Sequence, residues 1–214
     1  SSSSRGLGDV YKRQTQITTN QWYHIAVTRK GNTGYLFVDG NLELSFSFTS
    51  SIANVGTHLV VGAATSYGGG TPGGLFAGYI DDIRIIKGTA LYISSFTAPT
   101  SPLGTSATAQ TFLGGFEDQA RNHGVTTYGD TTLNTSVKKF GTSSLYLDGS
   151  GDYALIDHHN DFNFGNDDFT IEGQFYATGS SNSRIMHFGT TVESYAPIMI
   201  YQEGSGFYLY AADT

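Results

Sequence analysis

Hydrophobic and polar positions alternate with a period of two along most of this chain. From Trp22 to Arg29, Tyr23, Ile25 and Val27 fall on one face of an extended segment, and Trp22, His24, Ala26 and Thr28 fall on the other. Leu36 and Val38 take the inward positions of a returning strand, with Tyr35 and Phe37 opposite. The Gly-containing connection Lys30 to Gly34 makes the two runs a β-hairpin. Asp39-Gly40 then supplies the positive-φ geometry of a tight turn. In the next run Leu42, Leu44, Phe46 and Phe48 hold even positions while Glu43, Ser45 and Ser47 hold odd ones. Strict period two predicts a strand with one face on a core and one in water, so all four apolar residues are expected to point inward.

The same grammar continues. Strands are predicted at His58–Ala63 and Leu75–Ile86. Between them Ala64–Gly74 contains TSYGGGTPGG, whose glycines and Pro72 exclude regular structure and leave a loop presenting Tyr67. Thr89–Ser94 can make one helical turn, and residues 99–109, with Pro99 and Pro102, read as a linker. Strands resume at Gln110–Phe116, and Asp148-Gly149-Ser150-Gly151 is a tight turn between two more. Phe169, Ile171 and Phe175 alternate with Thr170, Glu172, Gln174 and Tyr176. Arg184–Phe188 follows, and Ala196–Gln202 and Phe207–Ala212 flank Glu203–Gly206 as a last hairpin. The fold class is all-β.

Composition agrees with this reading and narrows the function. Among 214 residues there are 28 Gly, 14 Tyr and 14 Phe, a balance that favours strands and tight turns. The formal net charge is −7, and the only basic clusters are Tyr11-Lys12-Arg13 and Lys138-Lys139. That is a poor match to a nucleic-acid groove. No cysteine is present, so there is no disulfide framework, and no apolar run reaches membrane-spanning length. Neither an initiator Met nor a signal peptide opens the sequence, which suggests a piece of a longer protein.

Several motifs together resemble laminin-G-like domains of the concanavalin A-like jelly-roll group. QWYHIAVTRKGNTGYLFVDG (21–40) and GYIDDIRIIKG (78–88) resemble the second half of that domain. KFGTSSLYLDG (139–149), then GDY, then DFTIE (168–172), resemble its first half. The resemblance implies a two-sheet antiparallel jelly-roll sandwich with its halves in reversed order: residues 15–98 as the C-terminal half, 99–109 as a linker, and 110–214 as the N-terminal half. The array would be tandem, with further domains adjacent. Each half alone would leave a bare apolar face and open edges, so the two are expected to close into one circularly permuted sandwich. Pairing of Gln110–Phe116 with the Leu75–Ile86 strand is the contact that this arrangement requires. Residues 1–14, SSSSRGLGDVYKRQ, resemble a translated sequencing adapter and are set aside as a non-native or disordered leader.

Candidate chemistry follows from the resemblance and from residue types. Modules of this kind often hold a structural calcium where their terminal strands meet, and calcium takes carboxylate, amide and carbonyl oxygens. Permutation would bring Asp81 and Asp82 together with Asp118 and Asn122 as such a site. Asp157-His158-His159-Asn160-Asp161 has a metal-ligand composition, but adjacent histidines on a strand point to opposite faces, so an exposed polar turn is the preferred reading. Asp148 and Asp152 fit a hairpin turn as well as an ion. Catalysis finds no support: there is no E-x-D-x-x-E run, no G-x-S-x-G elbow and no P-loop, and Glu172 occupies the place of a structural glutamate in the family.

Binding remains. Sugar rings stack on exposed aromatic faces, and Tyr67, Tyr195 and Tyr201 are the candidate contacts, with Tyr208 and Tyr210 nearby in sequence. Trp22 lies in a structural strand and reads as packing. The expected function is therefore a non-catalytic recognition module for glycans or a surface glycoprotein, at an extracellular, cell or virion surface. A structural spacer or protein-adhesion domain, and an accessory domain of a secreted glycoside hydrolase, are the alternatives.

Overall fold

The computed structural model describes residues 9–12, 15–49, 51–52, 58–64, 72–104, 109–112, 123–179, 182–188 and 198–211. Fifteen strands appear among them. The first segment contributes β1 (Asp9–Lys12), β2 (Trp22–Lys30), β3 (Thr33–Val38), β4 (Asn41–Ser47), β5 (Leu59–Val61) and β6 (Ala77–Lys87). The second contributes β7 (Ala109–Phe112), β8 (Val125–Tyr128), β9 (Thr132–Asn134), β10 (Ser144–Asp148), β11 (Tyr153–Ile156), β12 (Phe169–Ala177), β13 (Ser183–Phe188), β14 (Ile198–Glu203) and β15 (Gly206–Ala211). A single 3₁₀ turn, Asn160–Phe162, is the one helical element among the described residues.

The strands form two antiparallel sheets. One is seven-stranded, in the order β1-β15-β14-β13-β5-β11-β8; the other is eight-stranded, in the order β4-β3-β2-β12-β6-β10-β9, with β7 also on β6. The inner faces meet in one hydrophobic core, which includes Ile25 and Leu36 from the first segment and Phe169, Ile171, Ile200 and Leu209 from the second. The architecture is that of a jelly-roll sandwich.

Each segment fills a gap that the other leaves. In the seven-stranded sheet β5 lies between β13 and β11 and pairs with both. In the eight-stranded sheet β12 lies between β2 and β6, with Phe169 opposite Arg29 on one side and Lys87 on the other. Without β12 the strands β2 and β6 would have no common neighbour; without β5 the second segment's larger sheet would be cut in two. The pairing that permutation requires is also present, with Ile83 opposite Phe112 and Ile86 opposite Ala109. One edge of β6 is thus shared, β10 taking Ala77–Ile80 and β7 taking Ile83–Ile86.

Between those two partners β6 carries a bulge. Asp82 adopts φ 54°, and the register against β12 slips between Glu172 and Gln174. One extra residue on a strand reverses the facing of everything beyond it. Ile80 and Ile83, three residues apart, therefore both reach the core.

A bulge of the same kind corrects the reading of β4. Leu36 pairs with Leu44 but Phe37 pairs with Leu42, so Glu43 is an extra residue on β4. Phe46 and Phe48 face the core as expected, whereas Leu42 emerges on the outer side and is 39% exposed. Two further expectations change. Thr89–Ser94 forms no helical turn; its polar backbone groups bond to neighbouring strands instead, Leu91 N–H donating to Thr170 Oγ1 at 2.9 Å and Tyr92 C=O accepting from Thr28 Oγ1 at 2.6 Å. The leader set aside at 1–14 is not wholly irregular, since Asp9–Lys12 pairs antiparallel with Lys12 opposite Tyr208. Strand pairing uses backbone groups, and β15 offers an outer edge that accepts a strand of almost any sequence.

Candidate functional site

The outer face of the eight-stranded sheet is divided in two. One part lies beneath residues 89–103, which cross it as a clasp. Phe96 packs edge-on against His24 and Phe37, at centroid distances of 5.8 and 5.3 Å, and stacks on Tyr92 at 3.6 Å. Phe96 N–H donates to Gly40 C=O at 2.8 Å, and Leu103 N–H donates to Asp82 Oδ2 at 2.6 Å. The V-D-G turn is built for this contact. Asp39 and Gly40 both have positive φ, Asp39 Oδ1 accepts from His24 N–H at 2.8 Å, and a Cβ on Gly40 would run into the Phe96 carbonyl.

Beneath the clasp is a buried charged network. Glu172 Oε1 accepts from Arg84 Nε and Nη2 at 2.8 and 2.6 Å; Oε2 accepts from His24 Nε2 at 3.0 Å and from Tyr92 Oη at 3.1 Å. Burial alone would drive the Glu172 carboxyl upward, but the hydrogen bond from His24 and the charge of Arg84 outweigh it and hold the group below its usual range. The Tyr92 hydroxyl is pushed well above its usual range, by burial first and then by the Glu172 charge. Both oxygens of Glu172 are thus engaged by donors inside the structure.

The other part of the face lies beyond the clasp, and there four aromatic side chains form a row across four neighbouring strands. Trp22 of β2 meets Tyr176 of β12 at 5.4 Å, Tyr176 meets Tyr79 of β6 at 5.4 Å, and Tyr79 meets Tyr146 of β10 at 4.9 Å. The ladder makes these residues direct neighbours, Tyr176 standing opposite both Trp22 and Tyr79 and Tyr146 standing opposite Tyr79. All four are half-buried. Tyr79 is shifted upward by burial and by the hydroxyls of Tyr146 and Tyr176, so these phenol groups share one local environment. The alternation along β2 and β12 does put Trp22 and Tyr176 on the outer side. Their meeting with Tyr79 and Tyr146 could not be read from spacing, because it depends on which strands become neighbours.

The seven-stranded sheet carries aromatics on its outer face too. Tyr201 stacks on Tyr208 at 5.1 Å and lies under the Arg184 guanidinium at 5.7 Å, but it is only 8% exposed. Tyr210 is buried beside them. Tyr128 and Tyr153 stack in parallel at 4.5 Å on the β8 edge.

A comparison with protein families bears on this sandwich directly: residues 2–91 match the family model of the concanavalin A-like lectin/glucanases superfamily, in its laminin G form. Residues 2–91 are similar to that superfamily. The match covers β1 to β6, and the second segment completes the two-sheet sandwich. Neither a curated protein nor a solved structure matches the chain.

Within this sandwich, the residues expected to hold calcium have distinct positions. Asp81 and Asp82 are buried at the β6 bulge and turn to different segments. Asp81 Oδ2 accepts from Lys139 and Phe140 N–H at 2.9 and 3.0 Å, while Asp82 Oδ2 accepts from Leu103 N–H. Burial pushes both carboxyls up, Asp82 to about 6. Asp118 and Asn122 lie outside the described residues, as do Tyr67 and Tyr195. Asp148 and Asp152 lie in their turn: Asp152 Oδ1 and Oδ2 accept from Asp130 and Asp148 N–H at 2.9 Å each.

Proposed function

We propose that this chain is a non-catalytic recognition module for carbohydrate, carried by a larger extracellular or virion-fibre protein. The observation that supports this reading best is the row Trp22–Tyr176–Tyr79–Tyr146 beside the clasp. A sugar ring offers an apolar C–H face and a rim of hydroxyls. Half-buried tyrosines offer the complement, an aromatic surface with a phenol at its edge. Four strands at about 4.8 Å spacing give a surface roughly 14 Å long, the length of a short oligosaccharide. The match of residues 2–91 to the lectin/glucanase superfamily supports the same reading for the first segment. The full engagement of Glu172 by His24, Arg84 and Tyr92 supports its non-catalytic part.

A glycan array tests it. The chain is expected to bind a defined glycan class, and Tyr79→Ala and Tyr146→Ala are expected to remove that binding while circular dichroism stays unchanged. Loss in Tyr67→Ala alone would move the site to the glycine-rich loop. A flat array together with binding to a protein partner would overturn the carbohydrate reading in favour of an adhesion or spacer domain.

A further inference from the structure

The structure brings His123, His159 and Asp161 together at one end of the seven-stranded sheet, and we infer that they form a binding site for a divalent transition-metal ion of the zinc type. His123 lies two residues before the edge strand β8. Asp161 lies in the 3₁₀ turn that follows β11, the neighbour of β8, and His159 caps that turn, its Nδ1 accepting from Asp161 N–H at 3.2 Å, a hydrogen bond that the ion would replace. Asp157 N–H donates to Gly124 C=O at 2.9 Å, extending that pairing toward the cluster. The His123 ring packs on buried Phe162 at 5.1 Å and meets the His159 ring at 4.7 Å. The His123 imidazole is therefore held by the core, and the half-exposed His159 ring lies against it.

The donor geometry fits a small ion. Asp161 Oδ2 lies 3.3 Å from His123 Nε2 and 3.0 Å from His159 Nδ1. In a tetrahedral site with bonds of about 2.0–2.1 Å, ligand atoms stand about 3.3 Å apart. The three candidate ligand atoms all lie within 4.8 Å of one another. Two imidazole nitrogens and one carboxylate suit zinc and its neighbours; calcium takes oxygen ligands instead. Three protein ligands leave a fourth position for water or a further group.

The surroundings are mixed in charge. Lys87 Nζ lies 3.5 Å from Asn160 C=O, and the exposed pair His58 and Asp157 stands beside the same turn, 3.9 Å apart. His158, adjacent in sequence, is not part of the cluster. The ion would tie the start of edge strand β8 to the turn after its partner β11, which carries core residue Phe162. It is separate from the aromatic row, and the two readings stand or fall independently.

The test uses the tag-free full chain, stripped with a chelator and titrated with Zn²⁺ by calorimetry. Co²⁺ absorption serves as a second readout of coordination. One equivalent of Zn²⁺ is expected, with visible Co²⁺ bands of a low-coordinate N/O site. His159→Ala and Asp161→Asn are each expected to weaken binding by about 100-fold, at or above the losses seen when supporting residues of metal sites are removed. His158→Ala and His58→Ala are expected to leave it unchanged. His159 has a half-exposed side chain, so its variant keeps the test decisive even if His123→Ala fails to fold. Absence of a saturable one-equivalent event, or an equal loss in His158→Ala, overturns the inference.

Discussion

Arg84 and Glu172 stand directly opposite each other on β6 and β12, and Arg84 grips a single oxygen of Glu172 through both Nε and Nη2. Arg84 belongs to the first segment and Glu172 to the second, so this buried pair joins the two halves of the sandwich. Glu172→Gln or Arg84→Met leaves the partner's charge buried without its counterion. Each single change is expected to cost about 3–5 kcal/mol in urea denaturation. The double variant is expected to cost less than the sum of the two, which a double-mutant cycle reads directly.

Interleaving of the sheets predicts how the segments behave apart. Residues 1–98 and 99–214, made separately, are each expected to lack a cooperative thermal transition. Mixing them is expected to restore one, because β12 enters between β2 and β6 while β5 enters between β13 and β11. Calorimetry and size-exclusion chromatography check this, and two independent folded peaks from the separate pieces would contradict it.

Asp82 predicts an unusual pH dependence. Its carboxyl rises from 3.8 to about 6 on folding, first through burial. The folded chain then holds the Asp82 proton more tightly than the unfolded chain does. The contribution of this group to stability therefore falls as pH rises through that window, reaching a cost of about 3 kcal/mol above it. Glu172, held low in the fold, acts in the opposite sense and loses its contribution on acidification. Asp82→Asn keeps an acceptor for Leu103 N–H and tolerates the positive φ. It is expected to raise the urea midpoint at pH 8 and to remove the Asp82 component of the slope between pH 4 and 6. A variant whose profile parallels the parent would refute the assignment.

The clasp predicts a sensitive glycine. Gly40→Ala introduces a Cβ against the Phe96 carbonyl at φ 78°, so the turn and the clasp cannot both keep their places. A loss of about 2–4 kcal/mol is expected. Hydrogen exchange should show faster opening at Phe96 N–H, whose acceptor is Gly40. Phe96→Ala removes the ring that covers His24 and Phe37, and is expected to cost about 2 kcal/mol at this half-buried position.

Much of the architecture is legible in the sequence. Tyr23, Ile25 and Val27 alternate with His24 and Thr28, and the core lies on the side the alternation indicates. Leu42 was misread because a bulge one residue long is invisible to a period-two pattern. Residues 89–94 were misread because local helix-compatible spacing competes poorly with hydrogen bonds to Thr28 and Thr170. Trp22 read as packing in isolation; its row exists only because β2, β12, β6 and β10 are neighbours. In the Asp157–Asp161 run the paired histidines draw attention, yet the partner of His159 is His123, more than thirty residues earlier.

By itself the sequence determined the strand periodicity and the turns at Asp39-Gly40 and Asp148–Gly151. These are local properties, set by side-chain alternation and by residues that accept positive φ. Only the tertiary structure decided which strand enters which gap, where the bulges reverse a face, and which polar groups meet under the clasp. Those outcomes depend on contacts between residues far apart in the chain, as between Arg84 and Glu172 or His123 and Asp161. Alternation says that a residue faces outward; the packing of the whole chain determines what it faces.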